Sequence, residues 1–384
     1  MESVVVSGAL ANKYMNGGAA WTRLSWILGF KRLGFRTYFV EQIGDAGGGR
    51  ERFEGGPELA FFRHVTGQFG LAEDSALIYQ DARGLKSYGM SYDDVLDAAS
   101  GAAALINITG HLSLVQIKRL FRRKVYVDLD PGYTQFWHAS GNAGPRLAGH
   151  DYYFTVGENV GTPACEVPAG GLAWRPVRQP VLLEHWPVSR EGDPRRFTTI
   201  ASWRGPYGPA QYGGRSFGLK VHEFRKFIEI PRRAGAEFEI ALDIHPAEVR
   251  DLEMLREYGW RLVPPRAVAG DPEAFRSYVQ NSGAEFSVAQ GIYVETKSGW
   301  FSDRTTRYLA SGKPALVQDT GFNRDYLENG AVVAFATLDE AVRGAEAIAR
   351  DYKRRCSAAR ALAEEFFDSD KVLGLLVNEI SVSP

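Results

Sequence analysis

Asp130 and His111 are the side chains of this sequence best placed to move a proton. Asp130 ends the strand-like run Val127-Asp128-Leu129-Asp130, and His111 ends Ile106-Asn107-Ile108-Thr109-Gly110-His111. Each run reads as a buried strand leaving into a loop, which delivers its last polar residue to the strand's carboxyl end. Pro131 holds Asp130 extended, and alternation puts Asp128 and Asp130 on one side of the chain. A carboxylate in that place orients a hydroxyl or takes its proton, and an imidazole suits proton transfer near neutrality. The competing reading is a turn aspartate bonded to its own backbone, which suits Asp128 better than Asp130, and a loop histidine satisfying backbone groups. Gln135, Trp137 and His138 follow closely and are candidates to line a pocket, although clustered aromatics more often build core.

A second chemistry is written in Lys297 to Phe322, KSGWFSDRTTRYLASGKPALVQDTGF. A loop through Ser302 enters a helix near Arg304. Helix N-termini offer unpaired N–H groups and a positive dipole end, so they hold phosphate well. Ser302, Thr305 and Thr306 add hydroxyls, and Arg304 adds a planar positive fork. A plainly capped helix with Arg304 in a salt bridge explains the same residues equally well. Arg204, in Ala201-Ser202-Trp203-Arg204-Gly205, leaves another strand end and offers a further cation. Lys220 and His222 lie nearby, on the expected exposed face of the following helix. Asn16-Gly17-Gly18 forms a glycine loop before the first helix, a weak phosphate signal by itself, since a tight loop also needs glycine.

The elements that must position these residues alternate between short apolar runs and helical patterns, the mark of βαβ units and parallel sheets. Val4-Val5-Val6 is a strand, and a helix follows with Trp21, Leu24, Ile27, Leu28 and Leu33 on one face, stopped by Gly34. Strands are expected over Thr37–Val40, Ala104–Ile108, Lys124–Asp128 and Tyr152–Val156, with a helix over Leu114–Phe121. Pro176, Pro180, Pro187 and Pro194 then interrupt regular structure. A second series follows, with strands over Phe197–Ser202, Glu237–Asp243, Trp260–Val263, Glu285–Ala289, Pro314–Gln318 and Ala331–Phe335. Its helices are expected over Lys220–Ile230, Ala247–Glu257, Glu273–Asn281 and Thr305–Ala310. A long helical pattern from Thr337 to Phe366 opens on a Thr337/Glu340 capping box. The fold class is therefore α/β, with two Rossmann-like domains facing across a cleft. Their expected limits are 1–182 and 197–368, with a linker at 183–196 and a last helix, 369–384, returning to the first domain.

Composition agrees. The 384 residues suit two domains, and 45% hydrophobic with 24% charged residues is ordinary for a globular protein. The net charge of −1, with both signs interspersed, gives no support to nucleic-acid binding. No apolar stretch is long enough to span a membrane, and the N-terminus lacks a signal-peptide pattern. Cys165 and Cys356 sit in no metal-ligand spacing. A cytoplasmic protein with reduced thiols is expected.

The segment from about 285 to 370 resembles the donor-binding region of GT-B glycosyltransferases. It carries, in order, the loop entering a helix, the small-residue run Ala310-Ser311-Gly312-Lys313-Pro314, the strand Ala315–Asp319, and the loop Thr320-Gly321-Phe322. Asn329-Gly330 and Glu364-Glu365-Phe366-Phe367-Asp368 continue the likeness, with a weaker echo at Asn16-Gly17-Gly18. The resemblance implies a transferase that moves a sugar from a nucleotide-diphosphate donor to a small-molecule acceptor, a bacterial secondary metabolite being one candidate. Ser302, Arg304, Thr305, Thr306, Arg204, Thr320 and Gly321 would hold donor and phosphate, and Asn16, Gly17 and Gly18 would approach them. Asp130 or His111 would serve the acceptor, beside Gln135, Trp137 and His138. No cofactor or metal is implied, Asp128-Leu129-Asp130 being the one place a metal could sit. A glutamate pair found in one retaining branch falls here on Gly299 and Arg307, so retaining and inverting chemistry both stay open. An epimerase or hydrolase of the same fold, and a non-catalytic nucleotide-sugar-binding protein, are the rival readings.

Overall fold

The computed structural model of the chain describes residues 1–205 and 207–383; Pro206 and Pro384, the last residue of the expected final segment, lie outside the described residues. The first sheet is built from β1 (Ser3–Ser7), β2 (Arg36–Gly44), β3 (Ser75–Asp81), β4 (Gly84–Gly89), β5 (Ala104–Ile108), β6 (Lys124–Asp128), β7 (Tyr152–Thr155) and β8 (Trp174–Pro176). Its spatial order is β4-β3-β2-β1-β5-β6-β7-β8. Every neighbouring pair is parallel except β3 with β4. The runs Val4-Val5-Val6 and Ala104-Leu105-Ile106 are continuously apolar because helices cover both faces. Strand order reverses between β1 and β5, and a crevice opens there at the carboxyl ends.

The second sheet repeats the plan. It uses β9 (Arg196–Ser202), β12 (Glu237–Asp243), β13 (Arg261–Val263), β14 (Ala284–Ser287), β15 (Ala315–Gln318) and β16 (Val332–Phe335), in the order β13-β12-β9-β14-β15-β16. All its pairs are parallel, and its reversal falls between β9 and β14. A small antiparallel hairpin, β10 (Ala210–Tyr212) with β11 (Arg215–Phe217), leaves this domain and lies on the Tyr133–Ala139 helix of the first. Phe136 stacks on Tyr212 at 4.7 Å and on Phe217 at 4.9 Å.

Several expectations change in detail. The Thr337–Phe366 pattern is two helices, Leu338–Arg350 and Tyr352–Phe366, broken at Asp351, whose φ of −123° and ψ of 38° leave the helical range and end the first. Thr337 does cap the first of them, accepting from the Glu340 N–H. Lys220–Ile230 also divides, into Lys220–Arg225 and Ile230–Arg233. Residues 183–196 are not a free linker. Trp186 is buried among both domains, Ser189 N donates to Ser311 O, and Arg196 already belongs to β9.

The chain crosses back after the Tyr352–Phe366 helix. Val181 N donates to Phe367 O, and Ser369 N donates to Val181 O. The Ser369–Glu379 helix then packs on the Gly17–Arg32 helix, with a bidentate Arg32–Asp370 pair at 2.8 Å. Gly29 is required at that crossing, since a Cβ there would lie 2.5 Å from Leu373 Cδ1. The first helix is therefore wedged between its own sheet, the returning helix and the second domain. That explains why Trp21, Trp26 and Phe30 are all buried although they lie on different sides of it.

Candidate active site

The two crevices meet in one cavity of about 620 Å³. The first-domain wall is the segment after β1 (Lys13 to Asn16), the start of the first helix (Thr22, Arg23), the loop after β5 (Thr109, His111) and Leu129-Asp130 after β6. The opposite wall is Ile200–Ser202 at the end of β9, Asp243 at the end of β12, and Asp303 and Arg304 at the start of the Asp303–Ala310 helix.

Asp130 faces this cavity, and its Oδ1 accepts a hydrogen bond of 3.0 Å from the Tyr293 hydroxyl of the second domain. Burial pushes its carboxyl above the ordinary range, while the Tyr293 bond and the charges of Lys13 and Arg23 pull the other way. Asp128 does not share the cavity. It accepts from Thr134 Oγ1 (2.6 Å), Thr155 Oγ1 (2.7 Å), Gln135 Nε2 (2.8 Å) and Asp130 N (3.0 Å). Those bonds use the whole carboxylate to fix the loop that carries Asp130, so Asp128 is a positioning residue. Among the described residues no group of three or more His, Cys, Asp or Glu side chains could hold a metal ion.

His111 also lines the cavity. Burial, reinforced by Arg23 and Arg146, pushes its imidazole down to about 3, so it is neutral at any physiological pH. Its Nε2 has no hydrogen-bond partner and lies 3.8 Å from Glu41 Oε1. Glu41 is buried beneath the loop after β1 and accepts from the N–H groups of Leu10, Ala11 and Asn12 at 2.7–2.9 Å. Burial outweighs those bonds and raises its carboxyl to about 7.

The second-domain residues expected to hold phosphate divide. Arg304 is on the wall, but its guanidinium is largely spent on the protein. It donates to Glu285 Oε1 at 2.6 Å, Ile200 O at 2.7 Å and Ser287 Oγ at 3.0 Å, tying the helix start to β9 and β14. Burial works against its charge, yet the Glu285 carboxylate overcomes this and raises its pKa. Ser302 is the helix N-cap and accepts from Arg304 N at 3.2 Å. Thr305 and Thr306 are buried away from the cavity, with Thr306 Oγ1 donating back to Asp303 O. The reading of these three hydroxyls as phosphate donors is thus corrected to capping and packing.

Arg204 is paired with Glu248 on the surface, off the cavity wall. Thr320 Oγ1 donates to Trp300 O, and Gly321 O accepts from Asn159 Nδ2 at 2.8 Å. That loop is a contact with the first domain, and Gly321 at φ +78° suits the close approach of Asn159. Lys220, expected on an exposed face, is instead half-buried beside Arg304. Burial and the Arg304 charge lower its ammonium to about 7, against the smaller opposite pull of Glu285 and Asp303.

In the first domain, Asn16 caps the helix by accepting from Ala19 N at 2.9 Å. Gly17 and Gly18 answer a steric demand from the facing domain: a Cβ on Gly17 would stand 2.0 Å from Asp271 O, and one on Gly18 would stand 2.9 Å from the Phe275 ring. Gln135 is buried, its Nε2 on Asp128 and its Oε1 on Gly132 N. Trp137 packs on Tyr133 and Tyr207, and His138 against Gly170. None of the three lines the cavity, so the acceptor-lining reading is corrected as well.

Lys13, Arg23, Tyr293 and Asp303 are the cavity-side groups that sequence reasoning passed over. Arg23 left one signal, as a charged residue inside an otherwise apolar helix. Asp303 binds Thr22 Oγ1 at 2.6 Å and Arg307 Nη1 at 2.7 Å. Burial opposes its charge, but Arg307 and Thr22 outweigh that and keep the carboxyl below its usual range.

No family model and no curated protein sequence matches the chain. Solved structures do match over nearly its whole length. An α-glucosyltransferase (AGT) in complex with UDP aligns with 100% of both chains at 12% identity and a TM-score of 0.61. Anabaena HepE in complex with UDP-glucose aligns with 99% of this chain and 100% of its own, at 11% identity and a TM-score of 0.61. The pneumococcal O-GlcNAc transferase GtfA, in complex with UDP and GlcNAc, aligns with 99% of this chain and 98% of its own, at 9% identity and a TM-score of 0.55. With two parallel-sheet domains, a shared cleft and a final helix returning to the first domain, the chain has the GT-B glycosyltransferase fold.

Proposed function

We propose that the protein transfers a sugar from a nucleotide-diphosphate donor, a UDP-sugar in the first instance, to the hydroxyl of a small-molecule acceptor. The observation that carries this reading is the cavity's division. One wall holds Arg304 at the start of the Asp303–Ala310 helix, with Lys220 at the start of the Lys220–Arg225 helix behind it, and the other holds a carboxylate, Asp130, that makes no salt bridge among the described residues. UDP in the solved neighbours supports the nucleotide. A neighbouring structure of AGT includes a 13-mer DNA. A net charge of −1 gives this chain no overall attraction for the DNA backbone.

In this reading the acceptor oxygen forms the new bond to the anomeric carbon as the bond to the diphosphate oxygen breaks. Asp130 receives or orients the acceptor's hydroxyl proton. Negative charge grows on the leaving diphosphate, and Lys220 with the remaining N–H groups of Arg304 stabilises it, the kind of contribution that dominates such reactions. His111, neutral, is available as a hydrogen-bond partner to a sugar or acceptor hydroxyl rather than as a proton carrier.

Calorimetric titration of nucleoside diphosphates, followed by donor turnover with and without acceptors, tests the proposal. UDP is expected to bind, and Lys220→Met to weaken it by about 1.5–3 kcal/mol, the range for a charged hydrogen bond. Absence of binding by any nucleoside diphosphate would refute the reading. Donor turnover that needs no acceptor would identify a hydrolase or epimerase instead.

A further inference from the structure

Arg23 is 8% exposed and lines the cavity, yet its Nε has no partner and its guanidinium donates only to Ala19 O, at 3.2 Å. Its stem lies over Gly8, where a Cβ would stand 3.3 Å from Arg23 Cγ, so the chain leaves room for this side chain at the end of β1. Lys13 reaches into the same cavity and makes no ion pair. Three carboxylates lie near these two cations, and each is already committed. Glu41 accepts from three backbone N–H groups, Asp303 from Thr22 and Arg307, and Asp130 from Tyr293. The cavity's first-domain wall therefore has positive donors with no ion-pair partner among the described residues. Buried cations are ordinarily paired, and a planar guanidinium with free N–H groups suits an oxyanion.

Building on the transferase reading, we propose that Lys13 and Arg23 form an oxyanion subsite that selects an acceptor bearing a phosphate or carboxylate group near the hydroxyl addressed by Asp130. In that reading the donor's diphosphate has its own cations, Arg304 on the facing wall and Lys220 behind it. Desolvation by the cavity walls lowers the pKa of both Lys13 and Arg23, helped by the Arg23 charge at Lys13, whose surface still reaches solvent, and by the Arg307 charge at Arg23, against the opposite pull of the nearby carboxylates.

Calorimetry of the full chain with inorganic phosphate and with UDP decides the matter. Phosphate is expected to bind UDP-saturated protein about as tightly as free protein. Lys13→Met should weaken phosphate at least about fivefold, and Arg23→Met at least about tenfold, with UDP affinity changed less than about twofold. Lys13 is exposed, so its variant tests the subsite even if Arg23→Met fails to fold. Phosphate excluded by UDP would overturn the proposal, because the two cations would then serve the donor. Phosphate bound equally by wild type and Lys13→Met would also overturn it. Should UDP itself not bind, the donor reading fails alone, and phosphate titration of Lys220→Met against Lys13→Met still tests the subsite.

Discussion

Donor binding should take up a proton, and Lys220 is the residue that should take it. In the unliganded protein, burial and the neighbouring Arg304 charge hold its ammonium at about 7. A diphosphate arriving beside it favours the charged form and returns its pKa toward the ordinary lysine range. At pH 8 only about a tenth of the free protein carries the proton, so binding should take up about 0.9 proton per UDP. Apparent affinity follows the protonated fraction, which falls from about one half at pH 7 to about one hundredth at pH 9. UDP should therefore bind about 50-fold more weakly at pH 9 than at pH 7, or about 2 kcal/mol. The diphosphate's own last ionisation is complete in this window. Calorimetry in buffers of different ionisation enthalpy reads the proton number directly. Lys220→Met should abolish both the uptake and the pH slope. A proton number near zero at pH 8 in the wild type, or an unchanged slope in the variant, would refute this account of the donor wall.

Asp130→Asn should reduce transfer by about 10²–10⁴-fold while leaving UDP affinity unchanged, measured as turnover at saturating donor; wild-type turnover would remove Asp130 from the chemistry. Tyr293→Phe deletes a hydrogen bond that favours the Asp130 carboxylate, so the acid limb of the pH–rate profile should move to higher pH. Arg304→Ala strands the fully buried Glu285 and should cost about 3–5 kcal/mol in denaturant unfolding, more than the loss of one phosphate contact. Glu41 binds more protons folded than unfolded between about 4.5 and 7, so its contribution makes the protein less stable as pH rises through that window. The slope should flatten in Glu41→Gln, which keeps an acceptor for some of the three amides and loses at least one, at about 1–3 kcal/mol.

Much of the fold could be read locally because parallel strands covered on both faces carry apolar runs, such as Val4-Val5-Val6 in β1, Ala104-Leu105-Ile106 in β5 and Val125-Tyr126-Val127 in β6. The β3–β4 pair and the β10–β11 hairpin were not anticipated. β4 alternates exposed and half-buried residues at a sheet edge, and the hairpin owes its place to stacking on Phe136, a contact with a residue about eighty positions earlier. The site was harder for the same reason. Asp130 announced itself through its own neighbours, Asp128 and Pro131. Arg304 looked like a free phosphate ligand because nothing near it in sequence showed that Glu285, on β14, would take its guanidinium. Gly17 and Gly18 carried a glycine signal whose cause, the Asp271 carbonyl and the Phe275 ring, lies in the other domain. Residues whose role depends on the opposite wall of the cleft leave no local pattern.

That dependence bears on the chemistry. Three hydrogen bonds cross the cleft beside the reacting groups: Trp21 Nε1 to Pro272 O, Thr22 Oγ1 to Asp303 Oδ2, and Tyr293 hydroxyl to Asp130 Oδ1. Gly132, next to Pro131, meets Ile292 of the second domain so closely that a Cβ would lie 2.9 Å from it. The second domain therefore takes part in burying the Asp130 carboxyl, through Tyr293 and the Ile292 contact beside it. In an opened cleft Asp130 would regain water and the ordinary aspartate range, and with it a lower proton affinity. In the proposed mechanism, closing the domains would make Asp130 a stronger base and expel competing water in the same step. Tyr293 limits how far this goes, because its hydroxyl keeps part of the charged form stable. In the proposed transfer, the same raised proton affinity would let the carboxylate accept a hydroxyl proton as the diphosphate leaves. In that mechanism a base assembled in this way would act only when both domains are together around the donor, which is what a transferase needs if water is not to take the sugar first.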